Sequence, residues 1–168
     1  MLVCGLDAST SIVGWAFSES GSVMDASFLN VSKLETNKEK GCAVIDLLSI
    51  HPLMKNTSKI NLEAALSGFG GGMTSQQTII TLSRWNAVLE YMLSEYFKIP
   101  VNLCNVNTMR KKVFGKARVK GIKPKDYVRQ QIPLIVPNIS KFEKLNRNGE
   151  WDAHNGDIYD AIVCALYN

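Results

Sequence analysis

Long hydrophobic runs are missing from this chain. No stretch approaches the roughly 18 consecutive apolar residues of a membrane-spanning helix. The N-terminal run Met1–Leu6 is interrupted by Asp7 and is too short for a secretory leader, so a membrane partner is not expected. Closely spaced cysteines are absent as well. Cys4, Cys42, Cys104 and Cys164 lie far apart with no CxxC pair, which excludes a zinc-ribbon or disulfide framework and predicts reduced, mostly core cysteines in a cytoplasmic protein. There is no internal repeat and no linker. What remains is 168 residues, 46% apolar and 20% charged, a composition that argues against disorder and for one compact domain over 1–168.

The net charge is only +4, but the charges are unevenly placed. Between Arg110 and Arg129 there are nine basic residues and one acid, Asp126, so this segment carries +8 and the rest of the chain −4. A solvated helix face usually alternates signs; nine cations to one anion point instead to a polyanionic partner such as nucleic acid.

Apolar patterning predicts strands over 2–7, 11–18 and 22–31, joined as an antiparallel meander with a turn at Glu19-Ser20-Gly21. A helix is expected over about 37–50, ending before Pro52, with His51 in a loop. A fourth strand follows over 59–65, where Ile60, Leu62 and Ala64 alternate with Asn61, Glu63 and Ala65. The glycine cluster 68–72 is too flexible a composition for a regular element. Leu82, Trp85, Leu89, Met92 and Tyr96 form a helical stripe within 75–97, expected to be core or dimer interface. A fifth strand is expected over 100–106. The basic segment then opens as a short helix, loops through Gly115–Gly121 and restarts near Pro124. Residues 133–151 read as loop, and 155–167 as a nearly all-apolar final helix. The order βββαβαβα predicts an α/β protein: a five-stranded mixed sheet, three strands antiparallel and the others parallel, with helices on both faces.

Within this apolar frame, four carboxylates stand out. Asp7 ends an apolar strand, and Glu63 sits late on another, just before the glycine cluster. Asp7 could alternatively cap a turn through Ser9, Thr10 or Ser11, and Glu63 could face solvent. Asp157 and Asp160 share one face of the final helix, where a helix dipole tolerates acids but their mutual repulsion persists. No Lys or Arg follows Arg147, so a divalent cation is the simplest local countercharge. Oxygen ligands alone favour Mg²⁺, with Mn²⁺ as a substitute. Four such acids can hold two ions about 4 Å apart, the arrangement that aligns an attacking water and stabilises the leaving oxygen in phosphodiester hydrolysis. Beside a +8 segment, that chemistry suggests a nuclease.

Three segments resemble the RuvC family of Holliday junction resolvases, within the ribonuclease H-like superfamily: GLDASTSIVGWAF at 5–17, INLEAAL at 60–66 and DAHNGDIYDAIVCALY at 152–167. The resemblance implies a ribonuclease H-like domain and a homodimeric, Mg²⁺-dependent endonuclease acting on four-way DNA junctions, with Asp7, Glu63, Asp157 and Asp160 as its catalytic acids. Asp7 would be shared between two ions, Glu63 would hold one, and Asp157 and Asp160 the other. It further implies phosphate contacts from the basic segment, where Arg110, Lys111, Lys116, Arg118, Lys120, Lys123 and Lys125 fall, and a junction-stacking aromatic at Phe69. The glycine-rich loop and the extended 133–151 segment depart from the bacterial pattern; the short chain is more similar to phage-type members, which act in the host cytoplasm.

Other readings compete. A broader flap or replication-fork nuclease would use the same acids. A branched-DNA binder without activity would keep the fold alone. An actin-like phosphotransferase is suggested by Asp7-Ala8-Ser9-Thr10, but normally needs a second domain. His154, three before Asp157, is a candidate for proton transfer or for capping the last helix. Gln76, Gln77 and Asn86 are polar residues that DNA could contact.

Overall fold

The computed structural model describes residues 1–65 and 75–168, so Phe69 and the glycine cluster lie outside the described residues. One sheet organises the rest. Strands β1 (Leu2–Ala8), β2 (Ile12–Glu19) and β3 (Ser22–Asn30) form the antiparallel meander, and β4 (Thr57–Glu63) and β5 (Val101–Cys104) add to it in parallel. The spatial order is β3-β2-β1-β4-β5, which leaves β1 central. Both faces of β1 are covered, as its unbroken apolar run requires. The β2–β3 turn is made by Ser20 and Gly21, both at positive φ (51° and 84°), the pairing that suits a tight hairpin.

Helices α1 (Asn37–Ile50) and α2 (Gln76–Phe97) cover one face. Thr36 and Glu39 start α1 with a reciprocal capping box. On this side β1 and β2 present Leu2, Cys4, Leu6, Val13, Trp15 and Phe17, which meet Leu48, Trp85, Leu89 and Leu93 in a dry core. The expected α2 stripe is therefore only partly core: Trp85 and Leu89 are fully buried and Met92 packs against them, while Tyr96 is exposed. His51, expected in a loop, stacks on Phe17 and bonds Asp25 through Nε2 at 3.0 Å, having been fixed at the start of a 3₁₀ turn over Pro52–Asn56.

The opposite face carries α5 (Asn155–Leu166), flanked by α3 (Val106–Phe114) and α4 (Pro124–Ile135). The fifth strand is shorter than expected because Asn105 caps α3, accepting from the backbone N–H groups of Asn107 and Thr108. The segment over 133–151 is also more ordered than a loop. Helix α4 runs through Pro133, a 3₁₀ turn follows at Ile139–Lys141, and Leu145 and Trp151 form a β-bridge. Pro133 is tolerated close to the helix end, where its missing N–H leaves only the carbonyl of the exposed Arg129 without its helical partner. Cys4, Cys104 and Cys164 are buried, whereas Cys42 is exposed on α1. Among the described residues no helix is long and apolar enough to cross a membrane.

Candidate active site

Two glycines decide how close α5 comes to the sheet. A Cβ on Gly5 would run into the backbone of Ala161 and Ala165, and a Cβ on Gly14 into the backbone of Asp157. With hydrogen in those places, α5 lies backbone-to-backbone across β1 and β2. Gly14 pairs across the strands with Asp7, so the first turns of α5 are laid down next to the Asp7 carboxylate. Ser18 and Asn61 fix the other end of the helix. The Ser18 hydroxyl donates to the Ala165 carbonyl at 2.5 Å, and the Asn61 amide donates to the carbonyls of Cys164 (2.9 Å) and Tyr167 (2.7 Å).

Glu63 arrives from the next strand, one residue past the Leu6–Leu62 pair of the parallel β1–β4 ladder. Its backbone carbonyl accepts a 2.8 Å bond from the buried Asn86 amide on α2, which fixes the end of β4 where the acid projects. Asn86 is thus a positioning residue inside the protein, not a DNA contact. For Asn86 the signal is its position beside Trp85 and Leu89 on the apolar stripe of α2; Asn61 shares its strand face with Glu63 and carries no comparable mark.

The structure brings Asp7, Glu63, Asp157 and Asp160 into one electrostatic cluster. Burial pushes the Asp7 carboxyl well above its ordinary range, and Glu63, Asp160 and Asp157 push it further, against a small opposing effect of Lys125. Glu63 is raised to about 7, first by burial and then by Asp160, with Arg110 and Lys125 opposing. The turn after β1 does not use Asp7. Ser9 makes that turn itself, its Oγ accepting from Ile12 N–H (2.9 Å) and donating to the Ile12 carbonyl (2.8 Å). Asp7 is therefore a carboxylate placed among like charges with no turn to cap.

The basic segment needs one correction. Arg110 is not available to DNA: it is 6% exposed, and its guanidinium donates to Asp160 at 2.8 Å, while its Nε has no partner. The expectation that the final helix finds no protein countercharge fails here, because α3 supplies one from across the fold. The other eight cations of the segment, including Lys111, Lys116, Arg118, Lys120, Lys123 and Lys125, are exposed. Lys125, on the first turn of α4, is the one that acts on both Asp7 and Glu63. His154 occupies the N-cap position of α5 without a capping bond from its side chain; its Nδ1 instead meets Asp157 at 3.2 Å.

The donor set suits a hard divalent ion, since four carboxylates gather and two of them, Asp7 and Glu63, form no salt bridge among the described residues. They do not yet converge. Among the described residues no three His, Cys, Asp or Glu side chains stand close enough to hold an ion as they are, because Asp160 is turned to Arg110 and Asp157 to His154.

No family model matches the sequence, and no curated protein matches it. Solved structures do. RuvC of Thermus thermophilus matches with a TM-score of 0.61 at 15% identity, covering 99% of this chain and 92% of its own. The same protein in complex with a Holliday junction substrate matches at 0.67 with 13% identity over the same shares. The yeast mitochondrial Holliday junction resolvase Ydc2 matches at 0.56, 13% identical, covering 98% of this chain and 75% of that one. The chain has the ribonuclease H-like fold of these resolvases.

Proposed function

We propose that this chain is a divalent-metal-dependent endonuclease that resolves four-way DNA junctions, working as a homodimer. The observation that carries the reading is the electrostatic cluster of Asp7, Glu63, Asp157 and Asp160, with Lys125 acting on it from a segment of eight exposed cations, in a fold whose similar structures include a resolvase bound to a Holliday junction. Magnesium is the proposed ion and manganese its substitute. A pair of active sites related by a twofold axis suits a substrate of similar symmetry.

Asp7 and Glu63 would be the first ligands of a bound ion, and Asp157 and Asp160 would join on leaving His154 and Arg110. Bound there, a divalent ion would polarise the scissile phosphate and lower the pKa of an attacking water. The chain's own residues do the rest. Asn86 and the close approach of α5 to Gly5 and Gly14 would hold the acids in place, and Arg110 would orient Asp160 through its 2.8 Å bond. Lys125 stands beside the acids as a phosphate contact, with Lys116, Arg118, Lys120 and Lys123 on the strand further out. Phe69 remains the proposed stacking residue at the branch point.

The test compares Mg²⁺-dependent cleavage of a fixed four-way junction, a flap and a linear duplex. We expect symmetric nicks in the junction, and a loss of roughly 10³-fold, about 4 kcal/mol of barrier, in Asp7→Asn with junction binding retained. Equal cutting of flap and junction would replace the resolvase reading with the flap or fork nuclease. No metal-dependent cutting of any of the three would end the nuclease reading.

A further inference from the structure

Between α4 and α5, directly beside Asp160, lies a cleft of about 170 Å³. Its walls include Trp151, Tyr159 and Ala153, with Lys125, Asp126 and Arg129 on the α4 side, so two cations face one acid there. The cleft exists because of the 143–152 segment. Leu145 and Trp151 bridge to close a short hairpin, and Asn155, fully buried, clamps its base by accepting from Lys144 N–H (2.7 Å) and donating to the Lys144 carbonyl (2.9 Å).

The polar atoms of the aromatic walls are already used. Trp151 Nε1 donates to Glu143 at 3.1 Å, and the Tyr159 hydroxyl donates to the same carboxylate. The two rings pack edge to face at 6.2 Å and 70°, so they offer the cleft apolar carbon from one corner and no hydrogen-bond donors, and Arg129 would have to swing off the Trp151 ring for a base to lie on it. Arg129 lies over the Trp151 ring at 4.2 Å, which puts its charge at the cleft's edge, and Lys125 adds a second exposed cation there. An apolar slot with aromatic walls, a cationic margin and a metal-ligand candidate at its side matches one flat heterocycle attached to a phosphodiester. The volume is below the roughly 300 Å³ at which pockets for drug-sized ligands begin, which suits a single ring system.

We infer that this cleft takes one unstacked nucleobase from the DNA strand next to the scissile phosphate, with Lys125 and Arg129 on the flanking phosphates. The inference rests on the nuclease reading for the position of the cut. It carries a distinctive consequence: with no free donor or acceptor from the two rings, the slot senses whether a base is present more than which base it is.

The experiment measures binding of a fixed four-way junction in EDTA, with an abasic residue walked nucleotide by nucleotide through the branch point, alongside cleavage mapping in Mg²⁺. In the unmodified protein one position beside the mapped cut should lose at least about fivefold in affinity when abasic, and change little when its base is exchanged. Ala153→Trp, an exposed position that fills the slot, should erase the special position; Arg129→Ala should weaken binding at all positions alike and leave the abasic factor in place. Equal losses at all positions, or a special position that survives Ala153→Trp, would overturn the inference. Cleavage with no special position would remove the slot and leave the nuclease reading standing. A special position in a protein that cuts nothing would keep the slot as a base-binding site and remove the nuclease reading.

Discussion

The two faces of the central sheet are built on opposite plans. Towards α1 and α2, β1 and β2 show leucine, cysteine, valine, tryptophan and phenylalanine, and the facing helices answer with Leu48, Trp85 and Leu89. Towards α5 the same strands show Gly5, Asp7, Gly14, Ala16 and Ser18. The first face holds its helices at side-chain distance and gains its stability from buried volume. The second gives up volume so that a helix backbone can touch the sheet, and the polar groups left over become the site. One strand thus supplies anchorage with every second residue and places Gly5 and the candidate acid Asp7 with the alternate ones.

The largest effect should come from the charge pair on the second face. Arg110→Met leaves Asp160 buried among like charges, and should cost about 3–5 kcal/mol in thermal melts without metal, with part of the loss restored by adding Mg²⁺. The double change Arg110→Met with Asp160→Leu should recover stability and still lack cleavage. If Arg110→Met melts like the unmodified protein, the pair is not what holds this face together.

Next comes a direct contrast between faces. Leu89→Ala should cost about 2–5 kcal/mol by opening a cavity, yet leave cleavage per folded molecule within about threefold. Gly5→Ala should cost less, about 1–3 kcal/mol, because its added methyl meets the α5 backbone, and still lower cleavage by about 100-fold or more through displaced acids. Melting curves paired with cleavage rates below both melting points decide it. A Gly5→Ala protein with full activity would break the comparison.

The smallest effect is a pH dependence. Glu63 is raised from 4.5 to about 7 and Asp7 is raised as well, so the folded metal-free protein holds protons that the unfolded chain releases. Stability from these groups is present in full below about 4.5 and is lost as pH rises through about 7. Melting temperature in EDTA should fall between pH 5 and pH 8, and Glu63→Gln should flatten the slope. A flat profile in the unmodified protein would show that the acids carry no electrostatic strain.

Much of the architecture was legible because it depends on local pattern. The unbroken apolar run of β1, the alternation of β4, the Gly21 turn and the apolar run of α5 each place an element without reference to the rest of the chain. The proximity of the four acids was legible for the same reason, as charges standing in apolar surroundings, while their role rests on the proposal. The Arg110–Asp160 pair was not, since it joins residues 50 apart through a packing of α3 on α5 that no spacing encodes. The 143–152 hairpin was missed because its order comes from Asn155 and Glu143, contacts made only once α5 is in place.

Gly5 and Gly14 have one more consequence. The relation between strand and helix on the acidic side is set by two missing side chains and by main-chain shape, which every amino acid shares. The acids keep their places through this main-chain approach together with the Ser18 and Asn61 bonds to the helix end. A Cβ at either position would lift the helix from the sheet, so the spacing between Asp7 and the first turns of α5 is written in what these two residues leave out.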